Sequence, residues 1–198
     1  MKNKLVITVK NTSFASYDSM LYTIRLTASG TSIYMRKNAA IGVIFNSNKS
    51  QVLLVKRQDI PLWVLPGGGV EENENSCQAV IREVLEETGL TVKVLRKVAE
   101  YTPINKLSRF TEIYECSPLK GELQKGAETR EIDFFPLQQL PSHFFFLHKE
   151  WLQDALRNDP HVIYRSLNHV TYINLIKYFF KHPTWVLRFL MTLMKNKE

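Results

Sequence analysis

The chain has 198 residues, 44% of them hydrophobic and 23% charged, with eight glycines, eight prolines and two cysteines. That composition excludes a disordered, collagen-like or disulfide-framed chain and suffices for a substantial core. The net charge of +7 is unevenly placed: +5 over residues 1–37, −2 over 38–141 and +4 over 142–198, so the basic ends either draw polyanions or an anionic surface, or simply solubilise the chain.

Residues 3–10, 20–27 and 31–37 alternate or are β-branched and predict strands. They make an N-terminal β extension, 1–37, ahead of a core, 38–141. The N-terminus lacks the continuous apolar run of a signal peptide, and Cys77 and Cys116 have no framework or metal spacing. A cytoplasmic location is therefore expected. Ala39–Phe45 and Gln51–Lys56 predict a hairpin turned by Asn46–Ser50. Ser76–Thr88 predicts a helix that Gly89 caps. Leu90–Glu100 and Ser108–Cys116 predict strands, Pro118–Gly121 a turn, and Ile132–Phe135 a short strand before Pro136. Strands interrupted by one strongly marked helix indicate α+β or mixed α/β.

Residues 142–198 form a helical C-terminal extension. Val162–Phe180 is rich in Ile, Leu, Tyr and Phe, and Pro183 separates it from an apolar segment, Thr184–Met194. The second segment is too short to span a bilayer, and Arg188 interrupts it. Three readings stay open: packing on the chain's own core, a homodimer interface, or weak contact with an anionic membrane. The five histidines have no metal spacing.

Gly68 to Leu90 reads GGVEENENSCQAVIREVLEETGL. On a helix, Glu83, Glu86 and Glu87 stand at i, i+3 and i+4 and share one face. Each like-charge pair costs about 0.2–0.5 kcal/mol. A cation between the carboxylates offsets that cost, and oxygen-only ligands favour Mg²⁺ or Mn²⁺ over zinc. The alternative is an ordinary solvated surface helix, with Ala79, Val80 and Val84 on its buried side.

Gly68, Glu74, Arg82, Glu83, Val84, Glu86, Glu87, Gly89 and Leu90 match every fixed position of the signature G-x5-E-x7-R-E-U-x-E-E-x-G-U, where U is bulky and aliphatic. The segment thus resembles the Nudix box. Trp63-Val64-Leu65-Pro66-Gly67-Gly68 is similar to the strand and glycine turn that lead into it. Asn73 replaces the usual glycine of the entry, and asparagine tolerates a left-handed backbone. The resemblance implies a mixed sheet sandwiched between helices. It also implies a hydrolase of a nucleoside diphosphate linked to another group.

Several residue roles follow from the resemblance alone. Glu83, Glu86, Glu87 and the Gly68 carbonyl are the expected metal ligands, with Mg²⁺ or Mn²⁺ as cofactor. Glu83 doubles as a candidate general base. Arg82 is expected to fork onto Glu74 and orient Glu83, with a surface pair to Glu86 as the alternative. Glu131 is the first candidate for a further catalytic carboxylate and Glu128 the second. Arg57 stands where family members contact phosphate. Trp63 either stacks on a base or packs in the core. The substrate expected is a small-molecule nucleotide, either an NTP or dNTP, including oxidised forms, or an ADP-ribose-like sugar nucleotide. No specific nucleic-acid partner is expected. A nucleotide-sensing module that does not turn over its ligand is the reading from another class.

Overall fold

A computed structural model describes residues 22–27, 30–35, 38–181 and 183–184. The strand expected over 3–10 and, Thr184 apart, the apolar segment Thr184–Met194 lie outside the described residues. Among those described, β1 (Tyr22–Thr27) and β2 (Gly30–Met35) pair antiparallel from Tyr22↔Met35 to Thr27↔Gly30. They belong to a compact unit that ends at Lys37.

The second unit begins at Asn38. Its elements, in chain order, are β3 (Ala39–Ile44), β4 (Gln51–Arg57), β5 (Trp63–Val64), β6 (Gly67–Gly69) and α1 (Ser76–Thr88). Then come β7 (Thr91–Thr102), β8 (Thr111–Lys120), β9 (Thr129–Pro136), α2 (Phe146–Leu156), β10 (Ile163–Ser166) and α3 (Tyr172–Lys181). A five-stranded sheet has the order β10-β7-β8-β3-β6, and a three-stranded sheet has the order β5-β4-β9. β3 runs parallel to β8 and antiparallel to β6. This is an α+β fold of mixed sheets flanked by helices.

Alternation along β3 explains the layering. Ile41, Val43 and Phe45 turn to one face and pack with Trp151, Leu152 and Ala155 of α2. Ala40 and Ile44 turn to the other and pack with Ala79, Val80 and Val84 of α1. A Cβ at Gly42 would sit 3.1 Å from Val84 and 3.2 Å from Val80, so α1 seats directly on this strand. β3 carries the sheet; α1 and α2 cover its two sides.

Three expectations are corrected. β3 and β4 do not make a hairpin. Asn46 closes the turn by accepting from Ser50 N at 2.9 Å and Gln51 N at 3.1 Å, but only Phe45↔Val52 bridges the strands before they diverge into separate sheets. Both strands are almost wholly buried, and a strand covered on both faces needs partners that a two-stranded ribbon lacks. β8 continues through Pro118 to Lys120. Its ladder with β3 ends at Cys116, so Pro118 leaves no β3 acceptor unsatisfied. The start of Val162–Phe180 is a strand, β10, parallel to β7. Arg165 forks onto Asp154 at 2.9 and 3.0 Å, and Tyr101 donates to the same carboxylate at 2.5 Å. That buried lock ties β10, α2 and β7 together. Among the described residues no helix is long and apolar enough to cross a membrane.

His148 of α2 is buried and its Nδ1 accepts from Leu65 N at 2.9 Å. Burial, aided by the Arg57 charge, pushes it down to about 3 from an ordinary 6.5. A histidine lowered in the folded state contributes stability that is full above its unfolded value and lost as pH falls towards the folded one. His148→Asn should therefore be less stable at pH 7, and its deficit should shrink by about 1–2 kcal/mol on going to pH 5. Urea unfolding of both proteins at the two pH values measures this. A deficit independent of pH would mean that the ring is not held neutral.

Candidate active site

The site is built on α1, which is fixed at both ends. Asn75 accepts from Gln78 N at 2.9 Å, and Gln78 accepts from Asn75 N at 2.9 Å, a reciprocal cap. Such a cap contributes about 1 kcal/mol. At the other end Gly89 takes a left-handed conformation, φ 76°, and donates to Leu85 O. With Ala79, Val80 and Val84 buried against β3, the opposite face presents Arg82, Glu83, Glu86 and Glu87.

Arg82 organises that face. Its guanidinium forks onto Glu74, with Nε at 3.1 Å and Nη2 at 2.7 Å. Nη2 also donates to Gly69 O at 3.0 Å, and Nη1 reaches Glu83 at 3.1 Å and Glu86 at 3.3 Å. Glu74 accepts as well from Glu71 N at 2.8 Å, across a turn in which Asn73 is left-handed at φ 72°. The fork holds Glu74 below the usual carboxylate range and raises Arg82 further. One planar cation therefore ties the incoming loop, the β6 backbone and two glutamates to one point.

The glycine turn comes close to this face. A Cβ on Gly68 would collide with the Glu83 carboxylate, so only glycine fits there. Glu87 accepts from Gly67 N at 2.9 Å. Burial pushes Glu87 up to about 7; the Gly67 N–H and Arg57 pull the other way, while Glu83 and Glu128 add to the rise. Burial also raises Glu83, against the Arg82 charge.

The structure separates the two acidic candidates downstream. Glu128 lies where its charge acts on Glu83, Glu87 and Arg57. Glu131 is not brought to the cluster. It pairs with Lys56 at 2.8 Å across the β4–β9 ladder, where Lys56 stands opposite it. Neighbouring strand residues point to opposite faces, so Lys56 and Glu131 lie away from the face that Arg57 shares with Glu87. Trp63 is on that far side too. It is buried, 4.7 Å from the Phe135 ring and 5.4 Å from Lys56 Nζ. It is a core residue rather than part of the carboxylate cluster. Arg57 itself is held by Asp59 through two bonds of 2.8 and 2.5 Å.

Two residues escaped sequence reading. Gly126 abuts the last turn of α1 so closely that a Cβ would strike Glu86 O, and its N–H approaches Glu87 O at 3.4 Å. That contact pins the loop carrying Glu128. Asp59 orients Arg57; its signal was only a carboxylate two residues away. Beside Glu87, Arg57 and Gly67 opens a cavity of about 850 Å³. Its walls are mostly apolar, from Ile41, Leu62, Leu65 and Phe145, and Ser108 lines it with a buried Oγ that has no hydrogen-bond partner.

The donor set fits an oxygen-preferring divalent cation. Glu83, Glu86, Glu87 and Glu128 outnumber Arg57 and Arg82, and both buried glutamates are raised by neighbours that a cation would neutralise. Among the described residues no three acidic, histidine or cysteine groups form a closed cage. Glu83 and Glu86 lean to Arg82, and Glu87 leans to Gly67.

The family model for the NUDIX domain matches residues 35–155. The chain is 34% identical over 132 residues to an ADP-ribose pyrophosphatase of Methanocaldococcus jannaschii, spanning 63% of this chain and 76% of that protein. It is 43% identical over 67 residues to a putative 8-oxo-dGTP diphosphatase of Bacillus subtilis, spanning 34% and 44%. The crystal structure of an ADP-ribose pyrophosphatase from Streptococcus suis superposes with a TM-score of 0.55 at 31% identity. It covers 67% of this chain and 99% of that one.

A carboxyl raised in the folded state contributes stability that is full below its unfolded value, 4.5, and lost as pH rises through about 7. At pH 8 with a chelator, Glu87→Gln should therefore raise the melting temperature by roughly 2–4 °C. An unchanged or lower value would show that burying this charge is not a cost.

Proposed function

The chain belongs to the NUDIX family, a family of hydrolases of diphosphate bonds, and we propose that its substrate is a nucleoside diphosphate sugar of the ADP-ribose type, cleaved with Mg²⁺ or Mn²⁺. The observation that carries this reading is the Arg82–Glu74 fork, which holds Glu83 and Glu86 beside the buried Glu87 at the mouth of a nucleotide-sized cavity. The ADP-ribose assignment is supported by extent of likeness. The relatives named for ADP-ribose match 63% and 67% of this chain. The stretch shared with the putative 8-oxo-dGTP diphosphatase covers 34%, so it speaks for the chemistry of the box more than for the substrate.

In this account Glu83, Glu86, Glu87 and the Gly68 carbonyl hold the cation. A bound divalent cation neutralises diphosphate charge and acidifies a water. Arg82 does not touch substrate; it positions Glu83 and Glu86. Arg57, steadied by Asp59, donates to a phosphate oxygen. Glu128 has neither the Arg82 fork nor a backbone donor to satisfy it, and it takes the proton of the attacking water. The Ser108 hydroxyl bonds the sugar, and the apolar wall receives the base.

Product release from ADP-ribose, NTPs, dNTPs and oxidised dNTPs, with Mg²⁺, Mn²⁺ or a chelator, tests this. Metal-dependent turnover should be fastest with ADP-ribose. Glu86→Gln and Glu87→Gln should each lower kcat at least about 100-fold, the scale of losing one charged transition-state contact. Full turnover in both variants would contradict the ligand set. Nucleotide binding without turnover under any metal would support the sensing module instead.

A further inference from the structure

α3 carries its apolar residues on the wrong side for a helix that serves only its own core. Tyr172, Ile173, Ile176 and Phe180 are 55%, 66%, 56% and 76% exposed. At about 100° per residue they fall within one arc of about 100°. The face turned to the protein is polar instead: Asn174, Lys177 and Lys181 line the cavity. Thr171 Oγ1 accepts from Asn174 N at 3.2 Å, and Asn174 donates to His169 O at 2.9 Å, which fixes the helix start in that orientation. A surface helix ordinarily turns its apolar stripe inward.

What covers the outward stripe is indicated by charge. Residues 172–198 carry five Lys/Arg and a single acidic residue, the terminal Glu198. Lys177 and Lys181 follow on the edge of the apolar arc. Two copies meeting through this face would bring like charges together, which disfavours a self-association surface. An anionic bilayer meets both features: acyl chains take the isoleucines and aromatic rings, and headgroup phosphates take the lysines. Ten residues of helix reach about 15 Å, half a bilayer core, so the helix lies in the surface rather than across it.

We propose that α3 is a peripheral docking element for anionic phospholipid membranes, with the Ile173–Ile176–Phe180 face entering the headgroup boundary. This stands independently of the substrate reading. Because the opposite face of α3 lines the cavity beside Glu87, docking would hold the cavity at the lipid surface.

Co-sedimentation of the full chain with phosphatidylglycerol-containing vesicles, against pure phosphatidylcholine vesicles, tests it. The chain should pellet with the anionic vesicles alone. The double variant Ile173→Glu, Ile176→Glu should bind at least about tenfold more weakly while keeping its melting temperature and its hydrolytic activity. No pelleting on anionic vesicles overturns the proposal. So does pelleting that the double variant leaves unchanged. A wild-type dimer that the double variant dissolves into monomers, seen by light scattering without vesicles, would assign the face to a second copy and overturn it as well.

Discussion

Four carboxylates crowd one end of α1, and a single arginine makes that crowding tolerable. Arg82 binds Glu74, Glu83, Glu86 and the Gly69 carbonyl at once. Removing it would leave partly buried negative charge facing negative charge, with only Arg57 nearby. The remainder of the site depends on that guanidinium. It fixes the loop before the helix, sets the height of β6 against Glu83, and leaves Glu87 to the Gly67 amide. The cost is carried by Glu87 and Glu83, both held above the ordinary carboxylate value by burial. A site built this way stores an unfavourable charge that a divalent cation relieves, which is how preorganisation and metal affinity come from the same residues.

The scaffold serves that constraint. β3 supplies the wall on which α1 seats, and Gly42 lets the helix come close. β4 brings Arg57 to the carboxylates on one side while sending Lys56 and its partner Glu131 to the other. Gly126 presses the downstream loop on the end of the helix, so Glu128 arrives from a separate element. The far side of the sheet is closed by α2, whose His148 is buried against Leu65 at the foot of the glycine turn. The Tyr101–Asp154–Arg165 lock then adds β10 to the same sheet.

Much of the local structure was legible because it is local. The reciprocal cap at Asn75 and Gln78, the left-handed Gly89 and the left-handed Asn73 are properties of neighbouring residues. The shared face of Glu83, Glu86 and Glu87 needs only helical geometry. Long-range relations were not legible. Whether Glu128 or Glu131 joins the cluster depends on where β9 begins, since a shift of one strand position reverses the face. β3 and β4 read as a hairpin because their turn is local, while their separation is decided by burial on both sides. Gly126 gave no signal, because its reason is a helix end nearly forty residues earlier in the chain. The inverted polarity of α3 likewise requires knowing which side meets the cavity.

Manganese binding to wild type and to Arg82→Lys, followed by titration calorimetry at neutral pH, tests the role given to this arginine most directly. Lysine keeps the charge but loses the planar fork to Glu74 and the reach to Glu83 and Glu86. The account predicts Mn²⁺ affinity at least about tenfold weaker in the variant, the scale on which groups that orient a metal site act. Equal affinity in the two proteins would show that the carboxylates arrange themselves without the fork.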